Sequence, residues 1–216
     1  MQCKICHKAV VHFFDDYMKA DTYHCQECAL IFKDPNAIIS TEKELKVYQQ
    51  HINSEENLGY VAMFQEFIDK TFAPYEENIQ EVLEFGSGPT PVLASILKKR
   101  GLKVDIYDKF FAPEKVYEAK VYDLITSTEV IEHIADVEAL FHFFAEHLKP
   151  NAYLALMTQF HPDDRERYLK WWYRRDPTHI TFYHPDTFEV LAKRFGFTLL
   201  FCDEKKNVLL QRDGHL

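Results

Sequence analysis

The run Ile79-Gln80-Glu81-Val82-Leu83-Glu84-Phe85-Gly86-Ser87-Gly88-Pro89-Thr90-Pro91 constrains the fold of this chain more than any other segment. Ile79 to Phe85 is mostly apolar and β-prone, and it stops at Gly86 and Gly88, which accept positive φ and leave no Cβ between backbone and ligand. Pro89 or Pro91 suits the first turn of a helix, where a missing amide hydrogen costs little, and Val92 to Lys99 carries a helical apolar face. The expected unit is a strand, a glycine turn and a helix, an arrangement able to hold a nucleotide-like cofactor. The full G-x-G-x-x-G spacing of dinucleotide folds is absent, with Pro91 and Val92 standing where further glycines would be.

Two more strands follow. Lys103 to Tyr107 (KVDIY) ends at Asp108, an acid roughly 20 residues past the glycines, where a carboxylate at a strand end can accept hydrogen bonds from ribose hydroxyls. Tyr122 to Ser127 (YDLITS) is the third strand, and Thr128-Glu129-Val130-Ile131-Glu132-His133 then closes over the carboxyl edge of the sheet, where open α/β sheets bind ligands.

In order along the chain, the segments VLEFGSGP, IYDKFFAP, YDLITSTEVIEH and LKPNAYLALMTQ resemble the successive motifs of class I S-adenosylmethionine-dependent methyltransferases, over about residues 60 to 212. The resemblance implies a Rossmann-like α/β sheet with flanking helices. It also implies that Glu84, Gly86 and Gly88 lie against the methionine part of the cofactor and that Asp108 holds its ribose. Phe110, Thr128 and Glu129 would flank the adenine and the sulfonium. The chain departs from the family pattern twice. Asn151 and Ala152 replace the glycines of the usual Lys-Pro-Gly-Gly turn, and the stretch from Asp108 to Tyr122 is short for a helix plus a strand, so the usual third strand is expected to be reduced or missing.

A chain of 216 residues, 47% of them apolar and 15% aromatic, can bury one substantial α/β core and carry one small appendage. No apolar run approaches the roughly 20 residues that span a bilayer, and the amino terminus lacks the basic and apolar regions of a secretory signal, so the expectation is a cytoplasmic protein without a membrane partner. A formal charge of -9 disfavours a long nucleic-acid substrate, because such binding draws affinity from neutralised phosphates. The basic run Arg165, Arg167, Lys170, Arg174 and Arg175 reads as a solvated helix face or as a grip on one phosphate.

The appendage is legible at the amino terminus. Cys3-x-x-Cys6 and Cys25-x-x-Cys28 fall in the spacing range of four-cysteine zinc sites, whose closed tetrahedral shell leaves no position for water and is therefore structural. Val10 to Phe14, Thr22 to His24 and Leu30 to Phe32 are expected as its short strands, too few to fold without metal ligation. The expected division is a zinc ribbon over residues 1–38, a helical connector over 39–75 and the methyltransferase domain over 76–216. The ribbon could pack on the main domain, cover its site or dock a protein partner. Cys202 reads as a buried small apolar residue.

Glu42 to Ile52 and Leu58 to Phe72 show helical spacing. Tyr48, His51, Tyr60 and Phe64 within them are candidates for a cofactor lid, Tyr60 foremost. The acceptor chemistry is expected in the segment from Gln159 to His184, dense in polar and aromatic side chains, with His179 beside Asp176 as base or orienting group and Tyr183 and His161 behind it. If Glu129-x-x-Glu132-His133 opens a helix, two carboxylates and an imidazole share a face and form a half-shell for Mg²⁺ or Mn²⁺ that His179 could complete. That arrangement resembles the metal site of methyltransferases that modify the 3′-terminal ribose of small RNAs. A sugar or other hydroxylated metabolite is the expected acceptor. The alternatives are metal-assisted RNA-terminal ribose methylation and a non-catalytic cofactor-binding protein that docks a partner through the ribbon.

Overall fold

The computed structural model describes residues 1–50 and 54–214. In chain order the elements are β1 (Val11–Asp15), β2 (Ala20–His24), β3 (Ile31–Lys33), α1 (Thr41–Tyr48), α2 (Leu58–Lys70), β4 (Glu81–Phe85), α3 (Val92–Lys99), β5 (Lys103–Tyr107) and β6 (Tyr122–Thr128). They continue as α4 (Val137–His147), β7 (Leu148–Met157), α5 (Arg165–Lys170), β8 (Thr181–Phe182), α6 (Pro185–Phe195), β9 (Phe197–Cys202) and β10 (Asn207–Arg212). His51 and Ile52, expected to extend the first connector helix, lie outside the described residues.

Six strands form the main sheet in the order β5-β4-β6-β7-β10-β9. The first four run parallel, and β10 turns back antiparallel between β7 and β9. Alternation along the central strands sends side chains to two layers. Val82, Leu124, Ala155 and Leu209 pack with α2 and α3, whereas Leu83, Ile125, Leu154 and Leu210 pack with α4 and α6. Between β5 and β6 the chain makes turns and the isolated Asp108–Ala112 bridge, so the third strand of the family pattern is missing among the described residues. Asn151 takes φ of 62° inside β7, and an asparagine tolerates the left-handed region where the family turn has glycine.

Helix boundaries follow local chemistry. Asp136 accepts from the Ala139 amide to start α4, and α6 opens on a His184–Thr187 capping box with Pro185 in the first turn and closes on Gly196 at φ of 72°. No helix among the described residues is long and apolar enough to cross a membrane.

The amino-terminal strands form a second sheet in the order β1-β2-β3-β8. Its fourth strand therefore comes from residues 181–182, far along the chain, through Ile31–Phe182 and Phe32–Thr181 pairing. Cys3, Ile5, Cys28, Leu30 and Phe32 belong to the same buried cluster as α4 and α6, so the small sheet shares the core of the large one.

Candidate active site

The carboxyl ends of β4, β5 and β6 open into a cavity of about 500 Å³. Glu84, Gly86, Gly88, Asp108 and Phe110 line it from β4, β5 and the turns after them, and Thr128, Glu129, His133, Tyr173, Asp176 and His179 line it from the end of β6 and the segment before β8. Tyr48 from α1 and Tyr60 and Phe64 from α2 close over it. All eight residues expected to bind the cofactor, Glu84, Gly86, Gly88, Asp108, Phe110, Thr128, Glu129 and Tyr60, line this one cavity together with His179.

The glycine side is shaped by hydrogen bonds to two carboxylates. Asp108 accepts the Gly88 amide at 2.9 Å through Oδ2, and the amides of Phe110 and Phe111 at 2.8 and 3.0 Å through Oδ1. Glu84 accepts the Ala94 amide at 2.9 Å in the first turn of α3. Burial pushes the Glu84 carboxyl up to about 8 despite that bond. Both glycines need their conformation: Gly86 has φ of 83° and Gly88 has φ of 65°. They differ in surroundings, since a Cβ on Gly86 would meet Val130 at 2.3 Å, whereas one on Gly88 would meet nothing within 4 Å and would project into free space.

Just past β6, Glu129 sits at φ of 54°, a left-handed backbone that a non-glycine residue adopts at a cost of about 1–2 kcal/mol. Its amide bonds the Met157 carbonyl at 2.8 Å. Residues Ile131–His133 then make a single 3₁₀ turn. Glu129, Glu132 and His133 are therefore not stacked on an α-helix face, and the expected half-shell arises differently. The Tyr173 hydroxyl donates to Glu129 at 3.0 Å and lies in a short hydrogen bond with Glu132. Oε1 of Glu129 and Oε2 of Glu132 are buried with no hydrogen-bond partner. Burial, reinforced by the Glu132 charge, pushes Glu129 up to about 8, and burial pushes Glu132 up to about 7.

The two histidines beside this pair are fixed in tautomer. His133 Nδ1 donates to the Thr178 carbonyl at 3.1 Å and His179 Nδ1 donates to the Tyr173 carbonyl at 2.8 Å, so each Nε2 carries a lone pair. Their rings meet edge to face at 4.7 Å. Burial, then the neighbouring His133, presses His179 down to about 3, so it stays neutral across the physiological range.

The other two expected catalytic side chains lie elsewhere. His161 is buried between the small sheet and the main domain, with Nε2 at 2.7 Å from the Ala29 carbonyl and Nδ1 at 3.0 Å from that of Pro162. Tyr183 is fully buried, donates to the Ile131 carbonyl at 3.1 Å and stacks on Phe188. Neither lines the cavity, because β8 and the chain beside it turn these side chains into the core. Tyr173 was one aromatic among many in the sequence. Only its contact with two acids 41 and 44 residues away distinguishes it.

The four amino-terminal cysteines converge as well. Cys3 and Cys28 sulfurs are 3.5 Å apart, Cys6 and Cys25 3.4 Å, and Cys6 and Cys28 3.8 Å, all as free thiols. All four ligand atoms lie within 4.8 Å of one another.

A parallel-rich sheet with a glycine cradle at its carboxyl edge and an acid at the end of the neighbouring strand defines a Rossmann-like cofactor-binding domain. Residues 56–200 match the family described as Methyltransferase domain. The chain belongs to that family. Solved structures with the same fold include an S-adenosylmethionine-dependent methyltransferase from Archaeoglobus fulgidus, at 16% identity and a TM-score of 0.55 over 78% of this chain and 99% of that one. Human N-acetylserotonin methyltransferase, solved with S-adenosylmethionine, is 15% identical with a TM-score of 0.54 over 82% of this chain and 61% of that one. An O-methyltransferase family protein from Burkholderia thailandensis is 14% identical with a TM-score of 0.53 over 72% of this chain and 58% of that one. The chain thus spans about three fifths of the length of the last two proteins. No curated protein matches it by sequence.

Proposed function

We propose that the chain is an S-adenosylmethionine-dependent methyltransferase acting on a small hydroxylated acceptor, such as a sugar. The observation that carries this reading is the meeting in one cavity of a glycine cradle beside Asp108 and a wall of Glu129, His133, Tyr173 and His179. S-adenosylmethionine, when bound, supplies a methyl group on a positively charged sulfur. Gly88 leaves the cradle open where any Cβ would intrude, and Asp108 is placed to accept ribose hydroxyls with lone pairs left over from its three amide bonds. Tyr48 of α1 and Tyr60 and Phe64 of α2 act as a lid, which excludes water from the cavity.

Glu129, which lines the cavity, is the base in this reading, with the fully buried Glu132 behind it across the shared Tyr173 phenol. Burial raises both carboxyls, to about 8 and about 7, so the pair is partly ionised near neutral pH and holds a proton more tightly than an ordinary carboxylate. His179 orients the acceptor through its Nε2 lone pair. An oxygen acceptor agrees with the name of the Burkholderia protein.

In the same reading residues 1–38 form a structural zinc ribbon and residues 76–216 the catalytic domain. A tetrahedron of sulfurs about 2.3 Å from a zinc ion has edges of about 3.8 Å, which the thiol separations of 3.4–3.8 Å approach.

A second reading adds a divalent cation on the acceptor wall. Glu132, His133 and His179 present ligand atoms within 4.8 Å of one another, both imidazoles are anchored through Nδ1, and two carboxylate oxygens have no partner. Binding of Mn²⁺ followed by electron paramagnetic resonance, lost in Glu132→Gln and His179→Ala, supports it. Full methyl transfer by EDTA-washed protein that retains its ribbon zinc removes it.

Calorimetry with S-adenosylhomocysteine and label transfer from S-adenosyl-[methyl-³H]methionine into a metabolite extract test the main reading. A folded chain that binds no S-adenosylhomocysteine sinks it. Binding without any labelled product favours a cofactor-binding protein that uses the ribbon to dock a partner.

A further inference from the structure

We propose that Asp15 and Arg174 are positioning residues that make the amino-terminal ribbon the anchor of the acceptor wall. This inference rests on the methyltransferase reading. Both side chains are almost fully buried, and they pair across 159 residues of sequence. Asp15 ends β1, where its Oδ1 accepts the amides of Tyr17 and Met18 at 3.0 Å and so holds the β1–β2 turn. Its other oxygen takes the Arg174 guanidinium. Arg174 also donates to the carbonyls of Tyr168 and Leu169. One charged pair therefore joins the ribbon hairpin, the end of α5 and the 3₁₀ turn Tyr173–Arg175.

Arg174 is the chain neighbour of Tyr173, whose hydroxyl bridges Glu129 and Glu132 and whose carbonyl fixes the His179 tautomer. Three further bonds from the ribbon and its surroundings hold the same segment. Lys33 Nζ donates to the Asp176 carbonyl at 3.3 Å, and the Lys33 amide donates to the Ile180 carbonyl at 2.9 Å. The Ile180 amide in turn donates to the Glu132 carbonyl at 2.9 Å. The backbone of Ile180 thus stands between ribbon and acid pair, and β8 directly after it is the fourth strand of the ribbon sheet. The glycine cradle of Glu84 to Gly88 receives no hydrogen bond from the ribbon among the described residues. The ribbon therefore sets the acceptor side of the cavity and leaves the cofactor side to the main sheet.

The variants Asp15→Asn and Asp15→Asn with Arg174→Met test this. The double variant removes both charges of the pair together and keeps an oxygen for the turn amides, so it is the variant that folds if the single one does not. Expected in the double variant are S-adenosylhomocysteine affinity within about twofold of wild type by calorimetry, amide hydrogen exchange at least about tenfold faster over residues 171–182 and unchanged over 82–94, and label transfer into the extract slowed about tenfold or more at saturating S-adenosylmethionine. Exchange and transfer both within about twofold of wild type would overturn the proposal, even if the melting temperature falls. Loss of S-adenosylhomocysteine binding would also overturn it, because the pair would then support the whole fold. A wild type that binds no S-adenosylhomocysteine, or labels nothing, fails the methyltransferase reading instead. The exchange comparison, run on the free proteins, still decides whether the ribbon holds the wall.

Discussion

Replacing Gly86 by alanine is expected to destabilise the protein by about 2–5 kcal/mol, from two separable causes. The first is backbone: φ of 83° lies where an L-residue is strained, at about 1–2 kcal/mol. The second is steric, because the new methyl would stand 2.3 Å from Val130 Cγ2 and 2.9 Å from Cγ1, and overpacking of this kind costs about 1–3 kcal/mol. Val130 Cβ is 3.1 Å away and can be accommodated by a small shift, so Val130→Ala removes the worst contacts without touching the backbone strain. Urea unfolding of the two single variants and the double variant closes a cycle, and the expected coupling is about 1–3 kcal/mol in favour of the double variant. Gly88→Ala is the control. It carries only the backbone cost in the free protein, with nothing within 4 Å of its methyl, yet it should lower S-adenosylhomocysteine affinity by filling the cradle. Additive effects of Gly86→Ala and Val130→Ala, within about 0.5 kcal/mol, would refute the claim that the glycine exists for close approach to the Glu129–Val130 loop.

Three more outcomes are expected. Glu84 is raised from 4.5 to about 8 in the folded state, so its stabilising contribution is complete below the unfolded value and is lost as pH rises toward 8. Unfolding free energy measured across that window should fall by up to about 1.4 kcal/mol per pH unit from this group, and Glu84→Gln should flatten the slope; an unchanged slope contradicts the burial argument. Tyr173→Phe removes the hydroxyl shared by Glu129 and Glu132 and should slow label transfer on the order of 10²-fold with cofactor affinity nearly unchanged, which calorimetry and initial rates check together. Asp108→Ala leaves the amides of Gly88, Phe110 and Phe111 without their acceptor and should cost about 1–3 kcal/mol in urea unfolding and at least about tenfold in S-adenosylhomocysteine affinity.

The part of the cavity built by β4, β5 and the turns after them was legible along the chain because it is built from short-range signals. An apolar run that ends at Gly86, and an acid at the end of the next strand, carry their geometry in neighbouring residues, and parallel pairing of β4 with β5 sets Phe85 opposite Tyr107, one residue before Asp108. The four cysteines were legible for the same reason. The remainder, proposed to hold the acceptor, was not. The expected helix face of Glu129, Glu132 and His133 is a left-handed residue followed by a single 3₁₀ turn, and those acids meet Tyr173 only because the chain that follows β7 and α5 comes back to them. His161 and Tyr183, near His179 in sequence, turn into the core, where one meets the Ala29 carbonyl and the other that of Ile131.

Local rules along the chain are therefore enough for the strand, glycine turn and helix of the cavity, the acid at Asp108, the missing third strand and the paired cysteines. Each depends on the local rules of φ, periodicity and spacing. Packing across the whole chain was needed to show that His133 and His179, and not His161, face the cavity, that two glutamates share one tyrosine, and that Asp15 in the ribbon grips Arg174 beside that tyrosine. Those contacts join residues 41 to 159 positions apart, and no local pattern encodes the closure of loops that long.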